Sequence, residues 1–445
     1  MTTLPKNYAR LCAMMFLQFG IYGLWLPIAG KFLTADASKG GLGFSEGQMG
    51  MIVGIAASVG ALCSPFIVQF ADRRFPAQRV LGFLMMVGGL LKIAVYPQST
   101  FLAWLLLSVS FTLMFMPAAA ICNALAMRHL DNPGRQFPGV RTWTAVGWVL
   151  MGWTFSLLVL KTNVEGNWLP PFFKGDDVPL IAGEMKKSVM WSGIIAFLYG
   201  VWAFFFLPST PPATTRTEAT PASPTAIVTP PKKRSAVIDA FALMKIPSIA
   251  TLLIVTLIVS PMNHLYFMQC AKFLGEAGLD SAYLLPAMAV GQICEIVMYI
   301  VLGRVLPKIG FRAVLTIGIA AYVFRFFLFG TIGIPMPAII LGLAIHGICY
   351  AFFTSTCFIY INKIASDDVA NTAQSVFNFI WYGIGPLIAV ALNGALAFFF
   401  ASGKKFVLAE FQPFWYSLGA ISLVGLVLLL LKFREEPETA ETLDG

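Results

Sequence analysis

The sequence predicts an all-α membrane protein with twelve transmembrane helices arranged as two six-helix bundles. Three observations carry that prediction. Hydrophobic residues make up 58% of the 445-residue chain and charged residues only 11%, less than half the share of about 25% usual for a soluble domain. The apolar residues come in continuous runs, and about twelve runs reach the roughly 20 residues that a bilayer-spanning helix needs. The runs are then divided six and six by a segment unlike either side. A soluble enzyme, a disulfide scaffold and a disordered chain are excluded. An outer-membrane barrel does not fit either, because its strands would alternate apolar and polar residues over about ten positions.

Taken in order, the first six runs lie near 9–33, 47–71, 78–96, 101–127, 137–160 and 188–207. The second six lie near 247–272, 281–302, 311–331, 336–362, 368–400 and 411–433. Lys6 and Arg10 precede the first run, which lacks a small-residue cleavage signal and is expected to be a retained helix. Between the halves, seven prolines fall from Pro208 to Pro231, followed by Lys232, Lys233 and Arg234. A Pro/Thr/Ala segment of this kind cannot bury a core, so it reads as a flexible linker. The expected organisation is a six-helix bundle over 1–207, a cytoplasmic linker over 208–246, a second bundle over 247–434 and an acidic tail over 435–445.

The net charge of +9 would suggest nucleic acid in a soluble chain. Here the positive-inside rule explains it, and no nucleic-acid partner is expected. With both termini and the linker inside, the inner segments hold roughly twice as many Lys and Arg as the outer loops, so both termini are expected to be cytoplasmic. The seven cysteines lie in or at the ends of apolar runs with no CxxC pair; they read as small buried residues rather than disulfides or a metal site. The halves also echo one another. Asp72, Arg73 and Arg79 form a tight basic inner turn after the second run, and Arg304 and Arg312 do so after the eighth. Two six-helix repeats on a long linker are the layout of alternating-access transporters. In such a body these two turns would serve as inner gates.

Ionisable groups inside spans are costly, so each requires a reason. Glu295 lies deep in the eighth run, with Gln292 one turn before it on the same helical face. A carboxylate there suits proton coupling or hydrogen bonding to a polar substrate. Arg141, one turn into the fifth run, either clamps a ligand oxygen, counters a carboxylate such as Glu295, or reaches back to the inner interface. His264 and His346 sit mid-run, where a neutral imidazole offers both a donor and an acceptor. Lys92 and Arg325 occupy equivalent places in the third and ninth runs and read as structural or interface-seeking. Trp148 and Tyr350 are candidate stacking platforms for a flat ring, with core packing as the alternative. There is no Walker A loop, HExxH motif or dinucleotide fingerprint, so neither an enzyme, an ATP drive nor a cofactor is expected.

Five local motifs in order carry a resemblance. They are Phe16-Leu17-Gln18-Phe19 with Gly23, Trp25 and Gly30; Phe137-Pro138 through Arg141 and Trp143 to Gly147; Gly291-Gln292-Ile293-Cys294-Glu295; Tyr322 to Phe327 around Arg325-Phe326; and Ala373-Gln374 with Gly383 and Gly385. The layout resembles the major facilitator superfamily, and the motifs resemble its nucleoside:H+ symporter branch. The resemblance implies a proton-driven nucleoside carrier in a bacterial inner membrane, and a monomer is expected. It implies substrate contacts at Arg141, His264, Gln292, Glu295 and Tyr350. The sequence departs from the family pattern at Ala145, where a hydroxyl is expected, at Phe267, where an amide is expected, and at Ala351, where an acid is expected. Val68 stands where the first inner turn usually has Gly. Fewer polar groups make a more apolar cavity, which keeps a sugar or other polyol, or an efflux role, open as alternatives. His264 and His346 are the residues that would restore polarity.

Overall fold

A computed structural model describes residues 7–131, 133–166, 173–210, 246–331, 333–364, 376–402 and 406–436. Most of the expected linker and most of the acidic tail therefore lie outside the described residues. Within them, eleven helical segments are long and apolar enough to cross a membrane. In chain order the first seven are α1 (Tyr8–Thr34), α2 (Glu46–Phe70), α3 (Ala77–Val95), α4 (Phe101–Arg128), α5 (Gly139–Leu160), α6 (Ile181–Phe206) and α7 (Pro247–Glu276). The next, Ser281–Gly330, is 50 residues long. At 1.5 Å per residue it would stretch about 75 Å, more than twice the hydrocarbon thickness of about 30 Å. It breaks at Gly310, whose φ of 76° and ψ of 170° are not helical and are open essentially to glycine alone. The segment thus accounts for two crossings, α8 (281–309) and α9 (311–330). With α10 (Met336–Ile361), α11 (Val376–Phe400) and α12 (Leu408–Lys432), the count reaches the twelve expected.

Three details of the elements were not expected. First, α1 is interrupted at Trp25, where φ is −122°. Pro27 follows in the first turn of the resumed helix, where its missing N–H costs least. Second, α6 begins two turns before the apolar run does. Its first turns carry Glu184, Lys186 and Lys187, and Lys187 pairs with Glu184 at 2.6 Å, so hydropathy alone hides them. Third, the connection from α5 to α6 contains an antiparallel hairpin, β1 (Lys161–Gly166) with β2 (Phe173–Asp177). Lys161 holds it. Its Nζ lies 2.8 Å from an Asp177 carboxylate oxygen and 3.7 Å from Asp280, donates to the Gly175 carbonyl at 2.8 Å and sits over the Tyr283 ring. Burial opposes the charge on Lys161, but Asp177, Tyr283 and Asp280 outweigh it and raise the pKa. A raised lysine contributes its stability in full below the ordinary value of about 10.4, and loses it only as pH climbs through the raised value. The clamp therefore holds at every physiological pH.

Helix contacts rest on small residues, as expected where lipid offers no hydrophobic drive for helices to associate. On α3 and α6, Gly82 faces Gly200 and Gly89 faces Gly193, seven residues apart on each helix. A Cβ built on Gly89 would lie 2.6 Å from the Gly193 carbonyl oxygen, and one on Gly82 would lie 2.7 Å from that of Gly200.

By packing, the chain forms two compact units. The first holds residues 1–226, 264–293 and 386–411; the second holds 227–263, 294–385 and 412–445. This division differs from a cut at the linker. Parts of α7, α8 and α11 belong with the first-half helices.

Of the two readings open for Lys92 and Arg325, structural and interface-seeking, both side chains fit the structural one. Lys92 is 2% exposed, and its ammonium lies 3.0 Å from the centre of the Trp25 ring, with Phe111 also near. Arg325 is fully buried. Helical position gives the depth of a residue but not the face it presents, and both side chains turn inward because aromatic rings or a hydrogen-bond acceptor await them there.

Candidate functional site

The first unit carries four of the expected site residues. On α5, Arg141 donates from Nη1 to Asn123 Oδ1 of α4 at 2.6 Å, and its guanidinium lies 5.0 Å from the Phe19 ring of α1. Seven residues on, Trp148 meets Tyr22 edge-on at 6.3 Å and Phe267 of α7 at 6.1 Å. Tyr22 in turn stacks on Phe115 at 4.8 Å and 14°. The result is an aromatic wall from four helices. Phe267, a departure at the sequence level, is part of it. His264 is half-buried, one turn before Phe267 on α7. Gln292 on α8 is buried, and its Oε1 accepts no hydrogen bond among the described residues.

Sequence reasoning used Gln18 only as part of a motif. In the structure it is fully buried on α1. Its Oε1 accepts from the Cys122 thiol at 3.6 Å, and its Nε2 has no acceptor among the described residues. Cys122 precedes Asn123, so Gln18 belongs to the Arg141 neighbourhood. A buried amide lacking a partner costs about 1–3 kcal/mol, and a ligand atom would relieve that cost.

The second unit carries the other three. Glu295 on α8 accepts from the Tyr299 hydroxyl at 2.8 Å, and Ser355 of α10 donates to that same hydroxyl oxygen at 3.1 Å. α8 and α10 touch closely here: a Cβ on Gly347 would meet the Cys294–Glu295 backbone at 2.5 Å. Tyr350 shares a hydrogen bond with Tyr382 of α11 at 3.2 Å and lies edge-on to Trp381. Both tyrosines sit in widened π-type turns, Tyr350–Ser355 and Phe379–Ile384. Such turns recur at functional sites, and no residue pattern in the sequence announces them. His346, 1% exposed, accepts at Nδ1 from Arg325 Nη1 at 2.9 Å, and its ring lies 6.2 Å from that of Tyr350.

The expected inner-gate residues are placed unevenly. Asp72 and Arg73 lie outside the described side chains. Arg79 lies over Phe204 of α6 at 5.8 Å. Arg304 is exposed. Arg312 is engaged with the end of α12 in its own unit, through its backbone N–H to Glu435 at 2.7 Å and its Nη2 to the Leu430 carbonyl at 2.6 Å.

A further buried cluster within the first unit escaped the sequence altogether. Glu46, at the start of α2, pairs with Lys272 of α7, both nearly enclosed. Gln269 donates to Glu46 at 2.8 Å and to Asn393 of α11 at 2.7 Å, and Asn393 returns a bond to the Glu46 carbonyl at 3.1 Å. The cluster ties 264–293 and 386–411 to the first-half helices.

The described fold agrees with that of known proteins. Residues 6–438 match the family described as "Nucleoside H+ symporter". The chain belongs to the nucleoside H+ symporter family. It is a multi-pass, proton-coupled membrane transporter and not an enzyme. Among its relatives, the putative nucleoside transporter YegT of Escherichia coli K12 is 26% identical over 98% of this chain and 96% of that one. The nucleoside permease NupG of the same organism is 22% identical over 96% and 95%. The xanthosine permease is 24% identical over 96% and 97%. In structure, the symporter matches the crystal structure of nucleoside transporter NupG with a TM-score of 0.76 at 18% identity, over 97% of this chain and 100% of that one. A peptide transporter, POT, in complex with sulfate matches at 0.65 and 15%, over 96% and 94%. These likenesses carry the major facilitator fold.

Proposed function

We propose that the symporter carries nucleosides into a bacterial cell across the inner membrane, with both termini cytoplasmic, and that Glu295 is the proton-coupling carboxylate. The observation that carries the reading is the helical turn from Gln292 to Glu295. A buried amide carbonyl that accepts no hydrogen bond among the described residues lies one turn before a carboxylate that accepts from the Tyr299 hydroxyl. The amide offers a nucleoside a hydrogen bond, and the carboxylate can take up and release a proton. The aromatic wall of Tyr22, Phe115, Trp148 and Phe267 suits a flat base, which can make aromatic pairs with it, better than a sugar, which can offer it only C–H groups. Arg141 clamps a ligand oxygen, with Asn123 fixing its direction. His264 and Tyr350 complete the set, and Asp72, Arg73, Arg79, Arg304 and Arg312 act at the inner side as the six-helix repeats 1–207 and 247–434 alternate in exposing the site.

Labelled uridine and adenosine are the substrates to test, in cells lacking their own nucleoside carriers. Uptake is expected to collapse on adding a protonophore, and Glu295→Gln is expected to abolish the proton-driven component. Uptake of neither nucleoside by well-expressed protein would move the substrate to another polar solute, with sugars next.

A further inference from the structure

Arg325 is the largest charged side chain sealed inside the described residues, and the transport cycle outlined above gives it no task. Its surroundings are built for it. The guanidinium carbon lies 5.1 Å from the Tyr322 ring and 4.9 Å from the Phe326 ring. Tyr322 is held from α7, donating its hydroxyl to Asn263 at 3.1 Å. A planar, delocalised cation can rest among such rings where a lysine would keep its water. From this seat Nη1 reaches His346 Nδ1 at 2.9 Å.

A guanidinium has five donors and no acceptor. The imidazole nitrogen facing it must therefore be the one without a proton. We propose that Arg325 is a positioning residue that fixes His346 in a single tautomer, with Nδ1 accepting and the ring proton on Nε2. His346 then presents a donor and never an acceptor from Nε2. It selects a solute atom that accepts, such as a base carbonyl, a ring nitrogen with a lone pair or a hydroxyl oxygen. It also does not take up the coupling proton at Nδ1, which leaves that task to Glu295. The choice of solute atom rests on His346 belonging to the substrate site; the tautomer does not.

The chain has three histidines, so a His129→Gln/His264→Gln variant of the full-length protein leaves His346 as the only one. With nitrogen-15 histidine in that variant, NMR is expected to show a neutral ring with a bare Nδ1 and a protonated Nε2. Adding Arg325→Met is expected to give a mixture of tautomers, and Arg325→Lys, which keeps one donor, is expected to restore the single form. A ring protonated at Nδ1 with Arg325 intact overturns the proposal. So does a single unchanged tautomer in Arg325→Met; if the Met variant does not fold, Arg325→Gln, whose amide can either donate or accept, decides the matter, a mixture of tautomers supporting the proposal and a single unchanged one overturning it. A transport arm reads the consequence in the otherwise unaltered chain. His346→Gln, which keeps an N–H near the place of Nε2, is expected to retain the nucleoside KM within about threefold. His346→Asn is expected to raise KM about tenfold with kcat little changed, the effect of one lost hydrogen bond. Equal losses in both variants overturn the donor role, whereas absence of all nucleoside uptake in the unaltered protein overturns the functional reading and leaves the NMR result standing.

Discussion

Arg141 shows how a single side chain in lipid is made useful. Its charge is offset by an amide oxygen and an aromatic face rather than by a carboxylate among its described contacts, so the cation keeps its attraction for a ligand oxygen. Replacing it with Lys loses the fork geometry. A charge-assisted hydrogen bond is worth about 1.5–3 kcal/mol, so Arg141→Lys should lower kcat/KM for nucleoside about 10- to 100-fold. Asn123→Ala should lower it less, since only the aim of the guanidinium is lost. Uptake kinetics of the two variants at matched expression check this order. At this scale the sequence was informative about which residues are unusual: Arg141, Gln292, Glu295 and His346 stand out against apolar neighbours. It was less informative about direction. Lys92 and Arg325 were visible as charges, yet their inward turn depends on Trp25 and His346, residues 67 and 21 positions away.

The elements were legible where hydropathy alone defines them. All twelve runs exist close to their expected positions, because about 20 apolar residues in a row leave few other structures. What hydropathy does not encode is the break at Trp25, the polar first turns of α6, the β1–β2 hairpin and the two π-type turns that carry Tyr350 and Tyr382. Each depends on a local backbone exception or a distant partner. The α3–α6 contact gives a test at this scale. Adding one methyl at Gly89 or at Gly193 forces two backbones apart, at a cost of about 1–3 kcal/mol. Gly89→Ala should therefore lower the melting temperature of the purified protein, whereas Gly303→Ala, whose Cβ would meet nothing within 4 Å, should not. Equal melting temperatures for both would show that the glycine contact is not a determinant of stability.

For the whole molecule, chain order and packing follow different lines. The linker divides six helices from six, yet the first unit gathers in 264–293 and 386–411. The Glu46–Lys272–Gln269–Asn393 cluster is the chemical reason, and its members are too far apart in sequence for any motif to reveal them. Breaking one partner of a buried ion pair leaves the other charge stranded, typically at 3–5 kcal/mol, whereas removing both can be nearly neutral. Glu46→Gln alone should thus destabilise the protein strongly, and Glu46→Gln with Lys272→Met should recover most of the loss. Thermal unfolding of the three proteins in one detergent measures this directly.

The β1–β2 hairpin has a practical consequence as well. Lys161 and Tyr283 fasten this short ribbon, which joins α5 to α6, to the connection that joins α7 to α8. Whatever grips the ribbon grips both connections at once. A binder raised against residues 161–177 would act as a splint, slowing turnover from the aqueous phase while leaving nucleoside affinity untouched, and inhibition by it would be non-competitive.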